Sequence, residues 1–203
     1  MHELSAQAEA IADAALVALR KHGYSGTSLA RVAEEAGTSK RMVLHYFASR
    51  DALFDAVVRR MGGRLLGQME LAIAAQADPA AALDEGLDRL WEEVRADPGL
   101  HGVMVGLVAE SITDASLRAT LHAMRNEYRA VIGDVLVSSG AVGDASPEEV
   151  ESFATLVLAA LVGLTIDLLE RGETSALERA FADFKRHVHL LAVAARDPAA
   201  TPA

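Results

Sequence analysis

Three pairs of a capping side chain and a proline, Asp78-Pro79, Asp97-Pro98 and Ser146-Pro147, punctuate this chain. Each pair sets a hydrogen-bond acceptor at a helix N-cap. It also puts a residue without an N–H at the first helical position, where the backbone donor has no partner anyway. Ser146 with Glu149, and Ser175 with Glu178, add the spacing of a capping box. Ser5, Ser39, Ser49 and Asp114 offer further starts, with Thr27 or Ser28 as one more, while Gly23, Gly37 and Gly140 offer stops. Between these signals apolar residues recur at helical spacing, as in Leu29, Val32, Ala33 and Ala36, or Leu117, Leu121, Met124, Tyr128 and Val135. No alternating strand pattern competes. The expected fold is all-α with about nine helices, the first running from Ser5 to about His22.

The 203 residues suffice for a sizeable core, and a chain rich in Ala and Leu with only 4% aromatic residues suits helices. Cysteine is absent, so a disulfide framework and thiolate chemistry are both excluded. The opening residues lack the basic segment and apolar run of a signal peptide, and the longest apolar stretch, residues 156–166, is shorter than a bilayer requires. A soluble, cytoplasmic protein with no membrane partner is expected. Enzyme signatures are missing too. There is no Glu-x-x-His spacing, phosphate-binding glycine loop or G-x-S-x-G elbow, and His187 and His189 point to different faces of one helix. No metal and no cofactor is implied.

The formal net charge of −10 is unevenly spread. Residues 1–60 hold eight Lys/Arg against seven Asp/Glu, and residues 61–203 eleven against twenty-two. Within 38–60, Lys40, Arg41, Arg50, Arg59 and Arg60 face only Asp51 and Asp55. A positive patch on an acidic body suits a polyanion-binding module, although a solvated helix face has the same composition. Two short helices, 28–36 and 39–46, joined at Gly37-Thr38, make a helix-turn-helix. Val43 and Phe47 point inward from the second helix, and Lys40, Arg41, Leu44 and His45 point outward.

The run GTSLARVAEEAGTSKRMVLHYFASRDALF (26–54) resembles the DNA-binding domain of the tetracycline-repressor (TetR) family of bacterial transcriptional regulators. The resemblance rests on Thr27-Ser28, Val32-Ala33, Ala36-Gly37-Thr38-Ser39, Tyr46-Phe47 and Arg50, and it covers about the first quarter of the chain closely. It departs from the common pattern at Arg41, where a small residue is frequent, and at Leu44, where a tyrosine is frequent. The resemblance implies that Lys40, Arg41 and Met42 read bases, with Thr27, Ser28, Ser39, His45, Tyr46 and Arg50 on the DNA backbone. Tyr46 has a second reading, as a core residue with its hydroxyl at the surface.

Three segments are expected: a DNA-binding domain over 1–50, a ligand-binding and dimerisation domain over 51–197 with the boundary inside the helix after Ser49, and a frayed tail over 198–203. The same resemblance implies a homodimeric repressor that binds a palindromic operator in double-stranded DNA and releases it on binding a small apolar effector. Candidate pocket residues are Trp91, Met104, Val108, Ser111, Leu121, Met124, Tyr128, Phe153 and Thr165; each also suits plain core. Helix 147–171 is apolar almost all round between Leu156 and Leu169 and needs cover on two sides. Leu161, Gly163, Phe181, Phe184, Val188 and Leu191 are the expected dimer contacts, with a monomeric bundle core as the alternative. Asp167 suits a cationic ligand or a capped polar spot. Gly62, Gly63 and Gly67 suit a hinge or a close helix approach. A helical carrier or interaction protein with a purely structural helix-turn-helix remains the other functional reading.

Overall fold

A computed structural model of the chain describes residues 5–74, 79–138 and 142–196. Among the described residues there are nine α-helices and no strand: α1 (Ala6–Gly26), α2 (Leu29–Glu35), α3 (Lys40–Tyr46), α4 (Arg50–Ala74), α5 (Pro79–Ala96), α6 (Pro98–Glu110), α7 (Ala115–Ser138), α8 (Pro147–Arg171) and α9 (Ser175–Arg196). They form two compact units, Met1–Gly63 with Gly99–Met124, and Arg64–Pro98 with Arg125–Ala203. The cuts lie within α4 and α7 and after the first residue of α6, so α4 and α7 contribute to both units. Gly140, the expected stop of α7, Asp78 and the tail lie outside the described residues.

Caps set the element bounds. Ser5, Ser28, Ser39 and Ser49 each accept the N–H three residues on, at 3.0–3.3 Å. Ser146 and Glu149 form the reciprocal capping box. Two expectations need correction. The cap of α9 is Thr174, whose Oγ1 accepts the Leu177 N–H at 3.1 Å, in place of the expected Ser175–Glu178 box. Gly23 breaks α1 as expected, with φ 66°, but helical geometry resumes through Tyr24 to Gly26.

In the first unit, α1 buries Ile11, Ala12, Ala15, Ala18 and Leu19 along one face, and α4 buries Leu53, Phe54, Val57 and Val58. Lys21 on α1 reaches Glu35 on α2 at 2.7 Å. Gly37 sits at φ 60° between α2 and α3. The Thr38 N–H reaches the Ala33 carbonyl at 2.9 Å and the Gly37 N–H reaches Glu34 at 3.1 Å. That pair of bonds closes α2 as a Schellman motif, and its left-handed residue favours glycine because a Cβ would crowd the backbone.

The second unit is built round one core. Leu83, Leu87, Trp91 and Val94 of α5, Ile132, Val135 and Leu136 of α7, Val157, Leu161 and Leu168 of α8, and Leu177, Phe181 and Val188 of α9 are all buried in it. Trp91 and Phe181 stack with ring centroids 4.9 Å apart and planes 14° from parallel. Polar contacts fringe the α5–α9 seam, an ion pair from Lys185 to Asp88 at 2.7 Å and a hydrogen bond between His189 Nε2 and Asp84 at 3.0 Å. Exposed pairs of this kind add little, so burial carries the stability.

This core corrects the expected dimer contacts. Phe181, Val188 and Leu161 are buried inside the subunit's own core, and Phe184 packs against it. An amphipathic pattern fixes which face of a helix is apolar but not what covers that face. Gly163 is exposed, and a Cβ built there meets nothing within 4 Å. The Leu191 side chain lies outside those described. Removing the ring that stacks on Trp91, by Phe181→Ala, should cost about 3–5 kcal/mol, read as a lowered denaturant midpoint by circular dichroism.

Candidate nucleic-acid interface

Helix α3 presents one face to the core and the other to solvent. Val43 is fully buried and Phe47 nearly so, whereas Lys40, Arg41, Leu44 and His45 are exposed and Met42 is 38% exposed. The three expected base readers therefore stand together at the start of α3. His45 packs edge-on against the half-buried Tyr46, with ring centroids 5.1 Å apart. Ser28 and Ser39 are exposed, each oxygen capping its own helix while the hydroxyl proton stays available as a donor.

Two expected phosphate contacts are corrected. Thr27 is 1% exposed, and its hydroxyl donates to the Gly23 carbonyl at 2.7 Å. Arg50 is folded into the domain. Its guanidinium lies 4.1 Å from the Tyr24 ring centroid and 4.5 Å from that of Phe54, a cation–π position on both. Arg50 Nε donates to the Thr27 carbonyl at 3.1 Å and Nη2 to the Tyr24 carbonyl. Arg50 thus ties the start of α4 to the α1–α2 turn.

The other cations nearby also have partners. Arg59 pairs with Asp55 at 2.8 Å, Arg60 with Asp13 at 3.0 Å, and Arg31 donates to the Gly26 carbonyl. Among the described residues, no ion pair or hydrogen bond engages the side chain of Lys40 or Arg41. The positive patch read from composition therefore narrows to two free cations on the open face of α3.

A second set of contacts, missed by sequence reasoning, ties this domain to the turn between α6 and α7 within the same unit. The Tyr24 hydroxyl donates to Asp114 Oδ2 at 2.8 Å, and the Ser25 hydroxyl donates to Glu110 at 3.0 Å. Thr120 donates to Asp55 at 2.7 Å. Asp114 also caps α7 by accepting the Leu117 N–H at 3.0 Å. That N–H, then the Tyr24 hydroxyl, holds the Asp114 carboxyl below the usual carboxylate range. Burial, reinforced by Asp114, pushes the Tyr24 phenol up. The cap at Asp114 is legible in the sequence; its bond to a tyrosine ninety positions earlier is not.

The expected pocket residues divide between the units. Met104, Val108, Ser111, Leu121 and Met124 belong to the first, and Trp91, Tyr128, Phe153 and Thr165 to the second. The Ser111 hydroxyl donates to Val108 at 2.7 Å and that of Thr165 to Leu161 at 2.8 Å, both on their own helices. Burial pushes the Tyr128 phenol far above its ordinary value. Asp167, the candidate for a cationic ligand, instead pairs with Arg171 one turn on. A Cβ at Gly63 or Gly67 meets nothing within 4 Å, so close packing does not explain either glycine.

Helix-turn-helix geometry with an open basic face defines a class of DNA-binding proteins. The comparisons then specify the family. Residues 11–57 match the profile of bacterial regulatory proteins of the tetR family. The transcriptional regulator RutR of Escherichia coli K12 is 32% identical over 147 residues, which span 71% of this chain and 68% of RutR. A putative transcriptional regulator from Pseudomonas aeruginosa PAO1 superposes with a TM-score of 0.80 at 22% identity, covering 93% of this chain and 92% of its own. FadR from Bacillus subtilis, solved in complex with stearoyl-CoA, superposes with a TM-score of 0.76 at 15% identity, covering 90% and 98%. The chain belongs to the tetR family: it is a DNA-binding transcriptional regulator and not an enzyme.

The Asp114 link has a pH signature. Because its folded-state pKa is depressed, its contribution is complete above the unfolded value of about 3.9 and fades as pH falls through the lower folded value. Melting temperature against pH should therefore show a shallower acid limb in Asp114→Asn than in the wild type. Tyr24→Phe should cost about 1 kcal/mol at neutral pH.

Proposed function

We propose that the protein is a cytoplasmic repressor. As a homodimer it binds a palindromic operator through α3 and releases it when a small, largely apolar effector occupies the C-terminal body. The observation that carries the DNA-reading part is the pair of unpartnered cations, Lys40 and Arg41, on the exposed face of α3. Arginine and lysine donate to guanine O6 and N7 in the major groove, whereas the serine caps and His45 suit phosphate. Release requires an effector that prefers the DNA-incompetent arrangement by about 10⁴-fold. That FadR of Bacillus subtilis holds stearoyl-CoA supports an effector role for a body of this fold. The unpacked glycines of α4 suit a hinge.

The dimer rests on α8. Its inward side is Ala154, Val157, Leu161, Thr165 and Leu168. Its outward side carries Leu156, Ala159, Gly163 and Ile166 at helical spacing, with Leu156 54% and Ile166 40% exposed. By length and composition α8 is able to cross a membrane, contrary to the reading from residues 156–166 alone, and 28% of its most apolar stretch is buried. A helix already packed along one side on its own subunit suits a second copy on the other. Small residues at Ala159 and Gly163 let two such helices approach closely. A two-fold pair of recognition helices also supplies the specificity that one lacks.

Selection from random duplexes is the direct test, and the palindrome it returns reports on symmetry. On the selected site, Arg41→Ala should lose about 1–3 kcal/mol and relax one position per half-site; unchanged affinity and preference would reassign the reader. Ile166→Glu should sediment as a monomer and lose palindrome binding while keeping its helical content. A wild type that is monomeric at micromolar concentration would remove the dimer.

A further inference from the structure

Two of the seven residues of α3 are large, apolar and exposed, Met42 at 38% and Leu44 at 41%. Their positions round the helix differ. At about 100° per residue, Leu44 falls between Lys40 and Arg41, about 40° from the first and about 60° from the second. Met42 lies about 100° beyond Arg41, on the other flank. Helical side chains also lean toward the N-terminus, so Leu44 covers the turn that carries the two cations. Val43 and Phe47 leave from the opposite side, into the core. Leu44 is thus an apolar side chain set between two cations that no ion pair or hydrogen bond engages among the described residues.

A lone exposed leucine is ordinary on a protein surface. This one does not stay solvated if its neighbours act as proposed. When Lys40 and Arg41 reach guanine O6 and N7, Leu44 is carried with them to the base edges and excludes water there. Against the N4 amino group of cytosine or the N6 amino group of adenine it strands a donor and offers no acceptor in exchange. The thymine C5-methyl is the apolar feature of the major-groove edge. Leucine against that methyl takes both groups out of water and leaves no polar atom stranded.

We infer that Leu44 reads the C5-methyl of a thymine beside the guanines taken by Lys40 and Arg41. This deepens the operator reading above and rests on it. The experiment uses the full-length protein and the duplex it selects from random sequence. Each thymine of the half-site is replaced in turn by uracil, which pairs alike and lacks only the methyl group. At a thymine next to a selected guanine, uracil should weaken wild-type binding by about threefold to fivefold per half-site. In Leu44→Ala the two duplexes should differ by less than about twofold, which assigns the methyl effect to this side chain. Leu44→Met, which keeps an apolar reach, should retain part of the discrimination. Reselection with Leu44→Ala should lose the thymine and keep the guanines. A wild type indifferent to uracil at every thymine overturns the assignment, as does discrimination that persists undiminished in Leu44→Ala, or a half-site with no thymine beside its guanines. A protein that selects no duplex overturns the operator reading as well. Guanine selection that depends on Arg41 but comes without the methyl effect overturns the methyl reading alone.

Discussion

The helix-turn-helix is organised round the guanidinium of Arg50. It lies against Tyr24 and Phe54 and donates to two carbonyls of the α1–α2 turn, so one side chain fastens the start of α4 to the end of α1 and to that turn. The turn it grips begins with Gly23 at positive φ and ends at the buried Thr27, whose hydroxyl closes back on Gly23. From there the Ser28 cap starts α2, the Schellman closure at Gly37 ends it, and the Ser39 cap starts α3. The direction in which α3 faces outward is therefore set by contacts on its far side. Tyr24 extends the arrangement by bonding Asp114, so the first turn of α7 is fastened to the same point.

Much of this was legible in local sequence, because caps, prolines and positive-φ glycines act over three or four residues. The starts at Ser5, Ser28, Ser39 and Ser146 follow from that chemistry, as does the inward pair Val43 and Phe47 on α3. What failed were inferences about where a long side chain ends. Arg50 has the composition of a phosphate contact, but two aromatic rings and two carbonyls within the domain offer it a dehydrated site that no short window of sequence displays. Thr27 failed similarly: a hydroxyl at a helix boundary reads as a cap or a phosphate donor until burial decides.

The second unit makes the same point about faces. The stripe Leu177, Phe181, Phe184 and Val188 on α9 is a strong amphipathic signal, and it is answered by α5 and Trp91 within the chain. On α8 the signal is weaker, because a helix apolar on nearly every side has no preferred direction. Only the structure separates its covered side from the open one, and only the open one has surface left for another molecule.

The start of α3 combines two features that oppose each other. Lys40 and Arg41 occupy the first turn, where the exposed N–H groups of a helix already carry partial positive charge and favour anions. Each cation there weakens the turn by a few tenths of a kcal/mol in the absence of a counter-charge. The repulsion vanishes when a polyanion arrives. Contact with duplex therefore removes a penalty that the free helix carries in its first turn. The mismatch that loosens it in solution favours its closure on DNA.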